Sequence, residues 1–191
     1  MRLLAADLAR AGITAIATRE PGGAPAAELI RELLLKGEPD RWDGISEALL
    51  MVAARRAHVT ETIQPGLARG DWILCDRFAD STTAYQGYGA GVPLAALAGL
   101  HHLIAGDLAP DLTLLLDLAV EEGLARAHAR RAAETRFERK DIHFHKRVRR
   151  GFLAIVKAEP DRCVVIDAAR PVDEVHRAVL KVIKDRLGVT L

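Results

Sequence analysis

Asp76 and Arg77 stand side by side at the end of the apolar run 72–76, and the run F-A-D-S-T-T-A-Y-Q-G follows at 78–87. A strand-end carboxylate suits a hydrated Mg²⁺, which binds through one or two carboxylates and its ligand's phosphates. A neighbouring guanidinium suits a phosphoryl group in transfer, because a fixed cation stabilises the charge that develops there. Taken alone, the pair also reads as an ordinary strand-end ion pair; the polar run ending A-Y-Q-G favours a site. A second cluster, Arg19-Glu20-Pro21-Gly22-Gly23, follows the apolar run 13–18, and plain turns rarely begin with two charges. A third lies in residues 126–150, where ten basic residues face three acidic ones, a local +7 that leaves −6 for the rest of a chain summing to +1. Guanidinium forks hold phosphate bidentately, so an arginine-rich flap suits a polyphosphate. Its alternative is a solvated helix face. Nucleic acid fits less well, because only Phe137, Phe144 and Phe152 interleave the basic residues and the last two suit a core face.

Other chemistries find no support. Ser46 and Ser81 are the only serines, and neither sits in a G-x-S-x-G elbow. Among seven histidines, His101-His102 and His143-Phe144-His145 are neighbours that do not share a helix face. Cys75 and Cys163 form no C-x-x-C pair, and there is no H-E-x-x-H, so a zinc site is not indicated. Gly87-Tyr88-Gly89-Ala90-Gly91 is followed by Val92 and is not a dinucleotide fingerprint.

The elements that must position these groups follow from periodicity. The runs 13–18, 72–76, 112–117 and 163–167 are almost continuously apolar, which predicts strands buried on both faces, and three of them end in Asp. Residues 1–11 carry Leu4, Leu8 and Ala11 on one helical face, and alanine-rich stretches at 26–36, 46–69, 93–106, 120–133, 142–158 and 172–187 keep the same period. Gly37, Gly70 and Gly188 supply stops, and Pro171 with Asp173 and Glu174 supplies a start. The alternation predicts a parallel α/β sheet with helices on both faces and ligands outside the carboxyl ends of the strands. A chain of 191 residues, 50% apolar and 28% charged, has the size and composition of one domain and excludes disorder. Apolar runs stop after about five residues, far short of the roughly twenty of a membrane span. With no cysteine framework and no secretory signal, a reduced cytoplasm is expected.

In this order the pieces resemble the thymidylate kinase family, enzymes that phosphorylate dTMP to dTDP with ATP. The matching motifs are R-E-P-G-G at 19–23, E-A-L-L-M-V-A-A-R at 47–55, D-R-F-A-D-S-T-T-A-Y-Q-G at 76–87, R-F-E at 136–138 and V-V-I-D-A at 164–168. The resemblance implies a P-loop kinase-like three-layer α/β/α fold with a parallel sheet. It implies one nucleoside monophosphate kinase-like domain over residues 1–191, with a lid near 126–141. It implies that Arg77 contacts the dTMP phosphate and the travelling γ-phosphoryl group, that Arg31 is a second phosphate clamp, and that Arg19 and Glu20 order the substrate phosphate and its metal. Arg55, Thr82 and Gln86 would hold the thymine, Met51 would cover the ring where the family commonly has phenylalanine, and Tyr85 would pack beside the sugar. Asp76 would hold Mg²⁺ through water. Arg130, Arg131 and Arg136 would close over ATP, with Thr135 standing where an aspartate is usual. A homodimer through 46–69 and 93–106 is implied as well; no nucleic acid or membrane is.

The family opens with a strand and a P-loop, G-x-x-x-x-G-K-[ST]. None of the six lysines here follows a glycine, and residues 1–11 resemble the helix that comes after that loop. The expectation is that about fourteen or more residues, holding the first, central strand and the loop, precede an internal methionine at position 1. By themselves the 191 residues are then expected to be weakly active or inactive. They are expected either to fold poorly or to leave a gap between the strands ending at Asp76 and Asp117. Two other readings stay open: a non-catalytic nucleotide-binding remnant, and another deoxynucleoside or nucleotide kinase, since D-R-[FYH] after a strand recurs there. The segments 19–23 and 84–86 favour thymidylate.

Overall fold

A computed structural model describes residues 1–129 and 136–191. Its strands are β1 (Ala15–Arg19), β2 (Trp72–Asp76), β3 (Thr113–Asp117) and β4 (Cys163–Asp167). Two match the expected runs residue for residue, β3 begins one residue late, and β1 is shifted to start at Ala15 and end on Arg19. The helices are α1 (Arg2–Arg10), α2 (Pro25–Leu35), α3 (Gly44–His58), α4 (Gln64–Ala68), α5 (Ala79–Thr82), α6 (Leu94–Ala105), α7 (Val120–Ala129), α8 (Ile142–Ala158) and α9 (Val172–Leu187). Asp43 and Asp141 start α3 and α8 by accepting from the Ser46 and Phe144 amides at 2.8 and 2.9 Å.

The long helix expected at 46–69 runs as α3 and α4 joined by a π turn, Val59–Ile63. Pro65, which has no N–H to give, lies two residues past its end, and the ladder slips ahead of it. The polar run after Asp76 is not an open loop. It coils into α5 and then a π segment, Thr83–Gly89.

β1 pairs with β2 and β3 with β4, both in parallel. They form two separate two-stranded sheets, with no pairing between β2 and β3 among the described residues. The expectation that every strand is buried on both faces needs correction. Only Thr18, Cys163 and Ile166 are buried among the strand residues, and Leu116 is 55% exposed. Parallel strands are covered on both faces when the sheet is wide enough for helices to span it, and two strands are too narrow for that.

Helices supply most of the core. α8 lies along the π segment so closely that a Cβ on Gly151 would come within 2.7 Å of the Tyr88 side chain. Ala84, Phe144, Val148, Ile155 and Cys163 form the buried cluster there, with Tyr85 and Phe152 packed against it. Tyr85 meets Phe137, Phe144 and Phe152 edge-on at 5.8, 6.0 and 6.2 Å. No helix among the described residues is long and apolar enough to cross a membrane.

Candidate active site at the ends of β1 and β2

The β1–β2 register places Arg19 opposite Asp76, and the Glu20 amide donates to the Asp76 carbonyl at 3.0 Å. The two clusters picked out by residue type therefore share one strand end. Arg77 turns the chain out of β2 in a left-handed conformation, φ 72°, which is uncommon for a residue with a Cβ and clusters at functional sites. The residue is exposed as a whole, and its guanidinium lies 5.2 Å over the Tyr85 ring. Asp76 is exposed too, and among the described residues its carboxylate makes no hydrogen bond or ion pair. The strand-end ion pair weighed as the alternative is not formed.

The turn at 19–23 is braced from α2. Glu28 accepts from the Gly23 amide at 2.9 Å and from Arg19 at 3.0 and 3.1 Å. The Gly23 amide, with Arg19, holds Glu28 below the usual carboxylate range. Arg31 donates to the Pro21 carbonyl at 2.7 Å. Two of the expected phosphate-binding cations thus flank the turn.

Beneath it lies a buried polar chain. Arg55 donates through Nε to Glu20 Oε2 and through Nη2 to Thr82 Oγ1, each at 2.8 Å. The other oxygen of Glu20 meets His58 Nδ1 at 3.0 Å, and His58 Nε2 meets Thr18 Oγ1 at 2.8 Å. Both carboxylate oxygens are occupied, so Glu20 is an organiser of side chains here and not an open metal ligand. Arg55 and Thr82 line a cavity with Phe78, Leu97 and His101. Met51 and Tyr85 are half-buried and do not line it.

Gln86 is fully buried and donates to Glu47 Oε2 at 2.9 Å. Arg136, expected over the ATP phosphates, has no exposed surface in this structure. It donates to the Leu34 and Pro39 carbonyls at 3.1 and 2.9 Å and lies 2.7 Å from Glu47 Oε1, over the Phe137 ring. Residues 136–138 dock by this arginine into the α2–α3 connection, because the carbonyls at the end of α2 have no helical partners of their own. Arg130 and Arg131 lie outside the described residues.

The chain matches the thymidylate kinase family model over residues 1–179. It is 54% identical over 189 residues to a thymidylate kinase of Caulobacter vibrioides, covering 99% of this chain and 90% of that one. It is 48% identical over 179 residues to that of Magnetococcus marinus, covering 94% and 85%. The chain belongs to the thymidylate kinase family. A crystal structure of thymidylate kinase from Ehrlichia chaffeensis superposes with a TM-score of 0.74 at 36% identity, covering 95% of this chain and 88% of that one. The α/β fold read from the sequence is thus shared with a solved member of the family, and the chain is a phosphotransferase by membership.

Within a thymidylate kinase, three residues that sequence reasoning gave no role now stand at the site. Glu47 opened a quoted motif but was passed over; its position eight residues before Arg55 puts both on the same side of α3. His58 stands three residues after Arg55, a spacing that shares a helix face and was the available signal. Glu28 had no signal beyond its place in the first turn of α2.

Proposed function

We propose that this thymidylate kinase family chain binds dTMP at the ends of β1 and β2 as the acceptor of a phosphoryl group, with ATP as donor. The observation that carries the reading is the bonded chain Glu20–Arg55–Thr82. It draws three motifs far apart in sequence into one buried unit, and Arg77 belongs to the third of them. Arg77, Arg31 and Arg19 form the cationic rim for the acceptor phosphate, while Arg55 and Thr82, with Gln86 and Met51 beside them on neighbouring turns, form the side that meets the base. Tyr85 stacks under Arg77 on the sugar side.

An oxygen of the dTMP phosphate bonds to the γ-phosphorus as the bond to the β,γ-bridging oxygen breaks, and ADP leaves. Little covalent work falls to the protein; positioning and charge neutralisation carry the step. Arg77 is the group placed to neutralise the phosphates between which transfer occurs. Asp76 is exposed, its carboxylate bonds to no side chain among the described residues, and it suits Mg²⁺, which keeps several waters and takes few carboxylates. Bound there, the ion would screen the charge on the donor phosphates. The pattern G-x-x-x-x-G-K-[ST] of a donor phosphate loop does not occur in these 191 residues. Arg130 and Arg131 are assigned to cover the donor, and Arg136 to anchor that lid at Glu47. A homodimer through α3 and α6 is supported by exposed Leu49 and Leu103. The cytoplasm is supported by two cysteines that form no disulfide.

Calorimetry with dTMP and ATP separately, and a coupled kinase assay with dTMP, dUMP and thymidine, test the reading. Binding of dTMP in preference to thymidine is expected, since thymidine lacks the phosphate that the arginines hold. Equal affinity for both would overturn the proposal. Binding of dTMP without ATP would favour the non-catalytic remnant for the chain by itself.

A further inference from the structure

His58 has no exposed surface and lies at the meeting point of β1, α3 and the turn at 19–23. Glu20 faces the Arg55 guanidinium at 2.8 Å and acts as an acceptor only. The proton between His58 and Glu20 must therefore sit on Nδ1, and Nε2 is left to accept from the Thr18 hydroxyl. Each ring nitrogen thus meets one polar side chain, so the buried imidazole is fully hydrogen-bonded. Gly23 closes over the far side: a Cβ there would lie 2.5 Å from His58 Nε2 and would also strike Thr18 Oγ1, at a backbone φ of +81°. The Gly23 carbonyl is itself held by the Thr62 hydroxyl at 2.6 Å. One imidazole thus touches the carboxylate that holds Arg55 and the glycine that ends the phosphate-side turn.

We propose that His58 is a positioning residue of the nucleotide site. By donating from Nδ1 to Glu20 and accepting at Nε2 from Thr18, it sets the carboxylate that aims Arg55 at the base. It does not touch the substrate. The inference rests on the reading that Arg55 meets the base of dTMP, so its effect falls on the base half of the ligand and spares the phosphate half.

The test uses the 191-residue chain with its histidines ¹⁵N-labelled, and three variants. The long-range ¹H–¹⁵N spectrum is expected to show His58, assigned by its loss in His58→Asn, as the neutral Nδ1–H tautomer; an Nε2–H tautomer overturns the proposal whether or not dTMP binds. In calorimetry, His58→Gln keeps a polar atom only near the Nε2 position and is expected to weaken dTMP about tenfold or more, the scale of one hydrogen bond to a charged group. His58→Asn keeps a donor near the Nδ1 position and should restore affinity to within about threefold of the parent, a difference that lost packing alone would not produce. Deoxyribose 5-phosphate, which lacks the base, should bind all variants alike. Equal losses in the Gln and Asn variants, or a loss shared by deoxyribose 5-phosphate, would refute the positioning role. If His58→Gln does not fold, Thr18→Val removes only the hydroxyl and should weaken dTMP several-fold with deoxyribose 5-phosphate unchanged; unchanged dTMP affinity there refutes it. Failure of the parent chain to bind dTMP sinks the functional reading instead, and the tautomer still decides the arrangement at His58.

Discussion

Removing Glu47 tests whether Arg136 is a structural anchor in the state described here. The two side chains are 1% and 0% exposed and lie 2.7 Å apart, so alanine at 47 leaves a guanidinium buried without its counter-charge. Deleting one partner of such a pair typically costs about 3–5 kcal/mol, because the remaining charge keeps its full desolvation penalty. The Gln86 amide loses its acceptor in the same substitution. Two carbonyls still hold Arg136, which places the expected loss near the lower figure, about 3 kcal/mol. With a urea slope of about 2 kcal/mol per molar, the midpoint should fall by about 1.5 M. Against a total stability of about 5–15 kcal/mol this is a large fraction, easily read by equilibrium urea unfolding followed by far-UV circular dichroism. The double variant Glu47→Leu, Arg136→Met removes both charges and should recover most of the loss, since the two changes share one interaction. A loss below about 1 kcal/mol in Glu47→Ala would refute the reasoning. So would a double variant as unstable as the two single ones summed. Either result would return Arg136 to the role of a free lid cation.

Three further outcomes follow from the geometry. Arg77→Ala should weaken dTMP by tenfold or more in calorimetry, the scale of a charge-assisted contact, with Arg77→Lys intermediate because an ammonium lacks the fork; equal affinity in all three would remove Arg77 from the site. Glu28→Gln keeps an acceptor for the Gly23 amide but drops the charge facing Arg19, so dTMP affinity should fall while the urea midpoint stays near the parent's, and a reversed pattern would contradict the brace. Asp117 is held below the usual carboxylate range by the hydrogen bonds it accepts from Arg149, both at 2.7 Å. A lowered folded pKa contributes stability that is present above the ordinary value near 4 and is lost as pH falls through the folded value. Asp117→Asn should therefore be less stable than the parent at pH 7 and converge with it in acid melts below pH 4; parallel pH profiles would count against the pairing.

Most of the frame was legible because its signals are local. Five-residue apolar runs ending in Asp place β2 and β4 to the residue, whereas α3 begins two residues ahead of the expected 46, at its Asp43 cap. Burial was not legible, because it belongs to the sheet and not to the strand. Leu116 reads as core by composition but is exposed where β3 has a partner on one side only. The π segment at 83–89 was missed for a different reason. Its polar composition suggests a loop, but Gly87 and Gly89 let α8 and α6 press against the backbone, and that packing makes it coil.

The site divides in the same way. Residues whose type announces chemistry, Arg19, Asp76 and Arg77, meet at one strand end, because strand register is short-range information once the runs are known. Roles that are relational are not carried by residue type: Glu20 reads as a metal or phosphate ligand until both of its oxygens are seen to be taken. A buried carboxylate between a guanidinium and an imidazole cannot turn outward without stranding both, and the desolvation cost of a stranded charge exceeds that of an unmet surface contact several-fold. The rim cations can therefore be exchanged at a cost in affinity alone, whereas a change in the buried chain Thr18–His58–Glu20–Arg55–Thr82 couples affinity to the packing of β1, α3 and α5 together. With dTMP bound as proposed, specificity for the base would belong to the folded core and phosphate binding to its edge.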